Sequence, residues 1–177
     1  MGPFDCAAET LPACLAVLQR LTEDDLAHST PCTEYTVGDV GQHVVRSMVL
    51  LASVAGEQID TPVAGLLEEN VAATAEAALA AWRRHGLDGS VAVGRSVMPA
   101  GVAAEIIPLE LLVHGWDIAQ ATGQSIDASP EVASYLLDRA RELITQDKRG
   151  RSFAAQAPVR PEATPLQRLI AFTGRPP

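Results

Sequence analysis

The stretch LELLVHGWDIAQATG (residues 109–123) predicts a helix that is apolar on almost every side and therefore buried. Three titratable residues interrupt it, Glu110, His114 and Asp117, and their spacing of i, i+4 and i+7 stacks them along one helical face. A buried carboxylate is costly unless something compensates its charge. The pattern therefore indicates either a cation held by Glu110 and His114 or a Glu–His hydrogen bond inside the core.

The composition indicates one helical domain over residues 1–177. Hydrophobic residues make up 47% of the chain but aromatic residues only 4%. Alanine, valine and leucine must therefore fill the core, and alanine and leucine favour closely packed helices. A chain of 177 residues is long enough for one continuous core. The predicted fold class is all-α.

The distribution of charge argues against nucleic acid and membranes as partners. The formal net charge is −9 without a block of basic residues, whereas phosphates demand clustered Lys and Arg. The longest strongly apolar stretch, VVRSMVLLASVAG (residues 44–56), is interrupted by Arg46 well short of a membrane span.

Three cysteines form no metal-type pair, and no signal peptide is expected. We therefore expect a reduced, cytoplasmic protein.

Hydrophobic periodicity predicts five helices and a short docking helix in the tail. Thr36, with Asp39 three residues later, is a capping-box variant that starts the second helix. Residues 90–100 alternate weakly and contain Gly and Pro, which predicts an extended crossover. The predicted helices cover residues 5–26, 36–56, 62–85, 109–123 (beginning or kinking near Pro108) and 129–148, and the short helix lies in PLQRLIAFTG (residues 165–174).

His43 is the natural third member of a site with Glu110 and His114, because it lies in the second turn of the helix that Thr36 opens. A hydrogen bond from His43 to Asp39 is the alternative for an isolated histidine.

Asp117 fits a supporting role, in which it accepts a hydrogen bond from a ligand imidazole or positions a bound water. The alternative is an ion pair with Arg46 or another arginine. Cys32 precedes a helix start, where a thiolate is favoured, although a buried structural thiol is the more common case.

Two segments carry a family resemblance. TPCTEYTVGDVGQHVV (residues 30–45) and ELLVHGWDIAQATG (residues 110–123) resemble the metal-binding family related to the mycothiol-dependent maleylpyruvate isomerase N-terminal domain, one of the DinB-like helical bundles. The closing FAAQAPVRPEATPLQRLIAFTGRPP (residues 153–177) looks like the end of its short, stand-alone members. The resemblance implies a DinB-like four-helix bundle with a crossover segment, an extra C-terminal helix and a docking tail.

The resemblance also implies a metal site. Family members bind a divalent metal, usually zinc, through a His on the second helix and an acid-x-x-x-His pair on a later one, which correspond to His43, Glu110 and His114. Tyr35 replaces a frequent Trp, and Pro108 departs from the motif. The isomerase itself has an additional C-terminal domain that we do not expect here, so its reaction is not transferred.

Several functions are compatible with this pattern. Three protein ligands leave a tetrahedral zinc with one open position, as in catalytic sites. The leading hypothesis is a zinc-dependent thiol S-transferase or thiol-assisted isomerase, which uses mycothiol or a similar low-molecular-weight thiol, or water, on a small electrophilic substrate. Two His and one carboxylate also match non-haem iron(II) enzymes, and nickel is a further divalent candidate. A non-enzymatic metal or small-ligand binding module, or a homodimer with a degenerate site, are the remaining alternatives.

Overall fold

The computed structural model describes residues 1–62, 64–150 and 153–177. These residues form two compact units, one of residues 2–126 and one of residues 127–177 together with Met1. Both are helical, which confirms the predicted all-α class. One domain over residues 1–177 stays a prediction. No helix in the described part of the chain is both long and apolar enough to cross a bilayer.

Residues 2–126 contain a four-helix bundle of the predicted DinB-like kind. Helix α1 packs against α3 and α5, and α2 packs against the same two helices, so that the four enclose one core. Its elements are α1 (Pro3–Leu18), a 3₁₀ turn (Asp24–Ala27), α2 (Val37–Val54), α3 (Leu67–His85), β1 (Ser90–Val93), β2 (Ser96–Pro99), α4 (Ala100–Ala104) and α5 (Ile106–Ala121).

Helix α1 is shorter than the predicted helix over residues 5–26. It ends at Leu18, and Arg20 and Leu21 close it with hydrogen bonds to carbonyls three residues back. Thr22 then bonds Asp25 through both its backbone N–H and its hydroxyl, at 2.8 Å each. This local capping starts a separate 3₁₀ turn, so the leucine periodicity continues where the helix does not.

Two further predictions change at element boundaries. Helix α3 begins at Leu67 rather than at residue 62, and Val63 lies outside the described residues. Gly65 at φ 99° precedes it, and a carboxylate oxygen of Glu69 accepts the Leu66 N–H at 3.4 Å, which places the N-cap at Leu66. The predicted crossover is an antiparallel β-hairpin, in which Ser90 pairs with Pro99 and Val93 with Ser96.

Helix α5 begins close to Pro108, which is the first of the two predicted alternatives, and it runs through this residue without a break. It starts at Ile106, so Pro108 is the third residue of its first turn. The first four N–H groups of a helix have no partner within the helix, and the missing N–H of proline therefore costs nothing at this position.

Residues 127–177 form the second unit, built on α6 (Pro130–Leu143), a 3₁₀ turn (Gln146–Lys148) and α7 (Pro165–Phe172). Helix α6 packs against α7. It ends at Leu143 rather than at residue 148, since Ile144 leaves helical geometry and Lys148 Nζ donates to the Leu143 carbonyl. The predicted short helix in the tail is α7, capped by Thr164.

Candidate metal centre

Helix α2 carries His43, and its start is fixed by a reciprocal cap. Thr36 Oγ1 accepts the Asp39 N–H at 3.2 Å, and Asp39 Oδ2 accepts the Thr36 N–H at 3.0 Å, as the sequence predicts. Val44 and Val45, directly after His43, are buried. The His43 side chain itself is 41% exposed, so it lies at the edge of the face that α2 buries.

Helix α5 carries the other three predicted residues and is enclosed. From Ile107 to Ala119 every residue except Glu110 is buried. The side chains of Glu110, His114 and Asp117 are 19%, 10% and 0% exposed. The polar residues of this helix therefore lie inside the bundle, as their apolar neighbours predict.

Gly115, next to His114, allows α5 to approach α1 closely. A Cβ at this position would lie 2.7 Å from Ile126 Cδ1 and 3.4 Å from Cys14 Sγ. The contact with Cys14 on α1 leaves little room for a side chain, and α5 is thereby held against its neighbour.

The two histidines converge on one oxygen of Glu110. His43 Nε2 lies 3.0 Å from Glu110 Oε2, and His114 Nε2 lies 3.6 Å from the same atom. The two imidazole rings meet edge to face, with centroids 4.8 Å apart and an interplanar angle of 77°. The structure thus brings together residues that are 67 positions apart in the sequence. His43 bonds Glu110, whereas Asp39, the alternative partner, bonds Thr36.

The Glu110 carboxylate is strongly held in its charged form. Burial alone would raise its pKa, but the charge interaction with His114 and the hydrogen bond and charge interaction with His43 oppose that effect. A hydrogen bond from Ser47 acts in the same direction, and the pKa falls to about 2. The centre therefore presents a carboxylate anion to any cation.

Asp117 lies against the far nitrogen of His114. His114 Nδ1 is 3.0 Å from Asp117 Oδ2, so the ring can donate its Nδ1–H to this carboxylate and turn Nε2 towards Glu110. Of the contacts that the sequence left open for Asp117, the structure shows the one with the His114 imidazole. Such a carboxylate fixes both the orientation and the tautomer of a metal-binding histidine.

The donor atoms fit a divalent cation. One donor atom each from His43, Glu110 and His114 lies within 4.8 Å of the others. A tetrahedral zinc, with bonds of about 2.0–2.1 Å, holds its ligand atoms about 3.3 Å apart. The two distances to Glu110 Oε2, 3.0 and 3.6 Å, bracket that value. Two imidazole nitrogens and one carboxylate oxygen also suit zinc, iron(II) and nickel(II).

Two contacts of the predicted residues were not predicted from the sequence: that of Ser47 with His43, and the approach of Cys32 to His114 and Asp117. Ser47 Oγ lies 3.4 Å from His43 Nε2, and its spacing of four residues from His43 on α2 was a usable signal. Cys32 lies with its Sγ within 4.8 Å of donor atoms of His114 and Asp117. No local spacing could show this, because the two parts of the sequence are joined only by the fold.

Comparison with known proteins agrees with these observations. Residues 7–119, which include all the predicted ligands, match the family described as mycothiol maleylpyruvate isomerase N-terminal domain. Two proteins of Mycobacterium tuberculosis, Uncharacterized protein MT0763 of strain CDC 1551 / Oshkosh and Uncharacterized protein Rv0738 of strain ATCC 25618 / H37Rv, are each 32% identical over 99% of this chain and 98% of their own length. No solved structure matches this chain. The chain therefore belongs to the mycothiol maleylpyruvate isomerase N-terminal domain family, a mycothiol-related, metal-binding family of DinB-like helical bundles.

Proposed function

We propose that this protein is a metal-dependent enzyme that activates a low-molecular-weight thiol, such as mycothiol, for S-transfer or isomerisation on a small electrophilic substrate. His43, Glu110 and His114 hold the cation, zinc in the first place, and Asp117 positions His114. The observation that carries the proposal is the convergence of both Nε2 atoms on Glu110 Oε2 in a largely enclosed place. Family membership supports a thiol as the partner.

Three protein ligands are the number found in catalytic zinc sites, which keep one position for water or substrate. A divalent cation held there would favour the anionic, nucleophilic form of a thiol near neutral pH. The negative charge of Glu110 balances part of the cation's charge, and the two neutral imidazoles add none. The remaining positive charge is then available to attract an anionic sulfur.

The residues around the candidate metal centre contribute in different ways. Asp117 accepts a hydrogen bond from the Nδ1–H of His114, which leaves the Nε2 lone pair for the cation. The apolar residues of α5 keep water from the inner side. His43 is 41% exposed, so the α2 side is open to solvent, and we expect a thiol to enter from that side.

The same donor set fits a second function. Two histidines and one carboxylate are the ligands of non-haem iron(II) enzymes, which keep open positions for oxygen and substrate. Identification of the metal separates this alternative from the zinc enzyme, and binding without turnover would indicate a metal or small-ligand binding module.

The first experiment is metal analysis of protein purified without a metal-affinity tag. We expect about one zinc per chain in the wild type and none in His43→Ala or Glu110→Gln. The matched control is His85→Ala, because His85 lies at the exposed end of α3, where its ring contacts Trp82. It should keep the metal. Absence of metal from the wild type after incubation with zinc, iron(II) or nickel(II) would contradict the proposal.

The second experiment tests the reaction. Zinc-loaded wild type is assayed with mycothiol or bacillithiol and a panel of small electrophiles, following loss of the free thiol. We expect consumption of the thiol that requires both zinc and His43. A zinc-loaded protein that never exceeds the metal-free protein on any electrophile would exclude the enzyme and leave the binding module.

A further inference from the structure

A second group of metal-ligating side chains shares His114 with the centre described above. Cys32 Sγ, a ring nitrogen of His114 and a carboxylate oxygen of Asp117 all lie within 4.8 Å of one another. His114 and Asp117 are buried and Cys32 is half-buried. Thiolate, imidazole and carboxylate are the three side-chain types that bind zinc in proteins.

Cys32 differs from the other two cysteines. Cys6 and Cys14 are 0% and 1% exposed. Burial raises the pKa of both thiols to about 12, with the Glu105 charge adding to the effect at Cys6. Neither belongs to a group of metal-ligating residues in the part of the chain that the structure describes. Only Cys32 is therefore placed to supply a thiolate to a cation.

The loop that carries Cys32 is held in place. The Tyr35 N–H and the Thr30 hydroxyl both donate to the Cys32 carbonyl, each at 3.1 Å. The Thr30 N–H donates to the Tyr35 carbonyl, also at 3.1 Å. These bonds fix the backbone from which the Cys32 side chain extends.

The two nitrogens of His114 face the two groups separately. Nε2 lies towards Glu110, at 3.6 Å, and Nδ1 towards Asp117, at 3.0 Å. A neutral imidazole carries a proton on one nitrogen and a lone pair on the other. His114 can therefore bind a cation through Nε2 while its Nδ1–H donates to Asp117. It can equally bind one through Nδ1 while its Nε2–H donates to Glu110.

We infer that Cys32, His114 and Asp117 form a second, softer cation position, and that one cation occupies either this position or the centre of His43, Glu110 and His114. The inference rests on the proposed function, because His114 belongs to both sets. Exclusive occupancy follows from the single lone pair of the neutral ring. A sulfur ligand favours a soft ion, so cadmium prefers the new position, whereas zinc and iron(II) bind at the centre of His43, Glu110 and His114.

Occupation of the second position moves two protons. Cys32 releases its thiol proton to solvent as the sulfur binds the cation. The His114 proton passes from Nδ1 to Nε2, where Glu110 accepts the hydrogen bond in place of Asp117. The two carboxylates thus exchange roles, and no electron is transferred.

The test is a cadmium titration of metal-free protein, followed by the ultraviolet absorption of cadmium–thiolate bonds. We expect this absorption to saturate at about one cadmium per chain in the wild type. It should persist in His43→Ala, which leaves the second set intact, and disappear in Cys32→Ser and Cys32→Ala. The cadmium affinity of both cysteine variants should fall at least about tenfold, whereas their zinc content should match the wild type.

Three results would overturn the inference: no thiolate absorption in the wild type, the same absorption in both cysteine variants, or saturation at two cadmium ions per chain. Circular dichroism establishes that each variant is folded. Zinc analysis of the same proteins judges the proposed function separately, because that function requires loss of zinc in His43→Ala and places no demand on Cys32.

Discussion

The two helices that supply the centre are of different kinds. Helix α5 is buried from Ile107 to Ala119 apart from Glu110, and it holds His114 with only 10% of the side chain exposed. Helix α2 is amphipathic, and its His43 is 41% exposed. The two histidines are thus held by the interior of the bundle on one side and by contacts at the edge of the core on the other.

Because of this difference, we expect the residues of α5 and α2 to affect the stability of the metal-free fold differently, although both helices serve metal binding. On α5, removal of a partner takes a hydrogen bond from a buried carboxyl group, which is costly whether or not a cation is bound. On α2, water can replace much of the hydrogen bonding that is lost with His43. We therefore expect His43 to add to the stability of the fold mainly when a cation is bound. We expect the two histidines to matter equally for metal content and very unequally for the metal-free fold.

The largest expected effect is that of His114→Ala on the metal-free protein. Asp117 is 0% exposed and loses its imidazole partner, so the free energy of unfolding should fall by about 3 kcal/mol. Urea unfolding after chelator treatment, followed by circular dichroism, measures it. A loss below about 1 kcal/mol would mean that α5 does not depend on this contact.

Zinc should strengthen the fold only where both helices supply their ligands. At a free zinc concentration about 100 times Kd, the free energy of unfolding of the wild type should rise by about 2.7 kcal/mol, because the ion binds the folded chain and not the unfolded one. EDTA should reverse the gain, and His43→Ala should show almost none. Equal stabilisation of His43→Ala and wild type would show that α5 binds the cation without α2.

The pattern within α5 was predictable because it is local. Glu110, His114 and Asp117 lie at helical spacing among apolar residues, and that spacing fixes a shared face. The partnership with His43 was of another kind. The position of His43 in the second turn of its helix suggested it as a third ligand, and the family resemblance supported it over a bond to Asp39, since spacing alone cannot show which face of α2 meets α5.

Two other features, the end of helix α1 and the approach of Cys32 to His114, could not be predicted from the hydrophobic periodicity of the sequence. The leucine periodicity continues beyond Leu18, but helix α1 ends at this residue, and the bonds between Thr22 and Asp25 begin a separate 3₁₀ turn. Cys32 approaches His114 because a capped turn and the packing of α2 against α5 fix a distance that no short motif contains. In both cases a few specific hydrogen bonds or packing contacts override the pattern of apolar residues.

A smaller effect should follow from Thr36→Ala, which removes the cap that starts α2. The expected loss of unfolding free energy is about 1 kcal/mol. Because His43 lies on this helix, zinc affinity should fall as well. Thr164→Ala is the matched control, since Thr164 caps α7 through the same kind of bond to Gln167. Thr164→Ala should weaken the fold but leave zinc affinity unchanged. Equal losses of zinc affinity in both variants would show that the α2 cap has no specific effect on the centre.

The smallest effect should be that of His43→Ala on the metal-free protein. The side chain is 41% exposed, and its hydrogen bond to Glu110 lies at the edge of the core. Water can reach Glu110 once the ring is gone, so the unfolding free energy should change by less than about 0.5 kcal/mol, as for most surface substitutions. The same chelator-treated urea unfolding measures it beside His114→Ala. A loss as large as that of His114→Ala would place His43 among the residues that hold the bundle together, and the contrast between α2 and α5 would then be wrong.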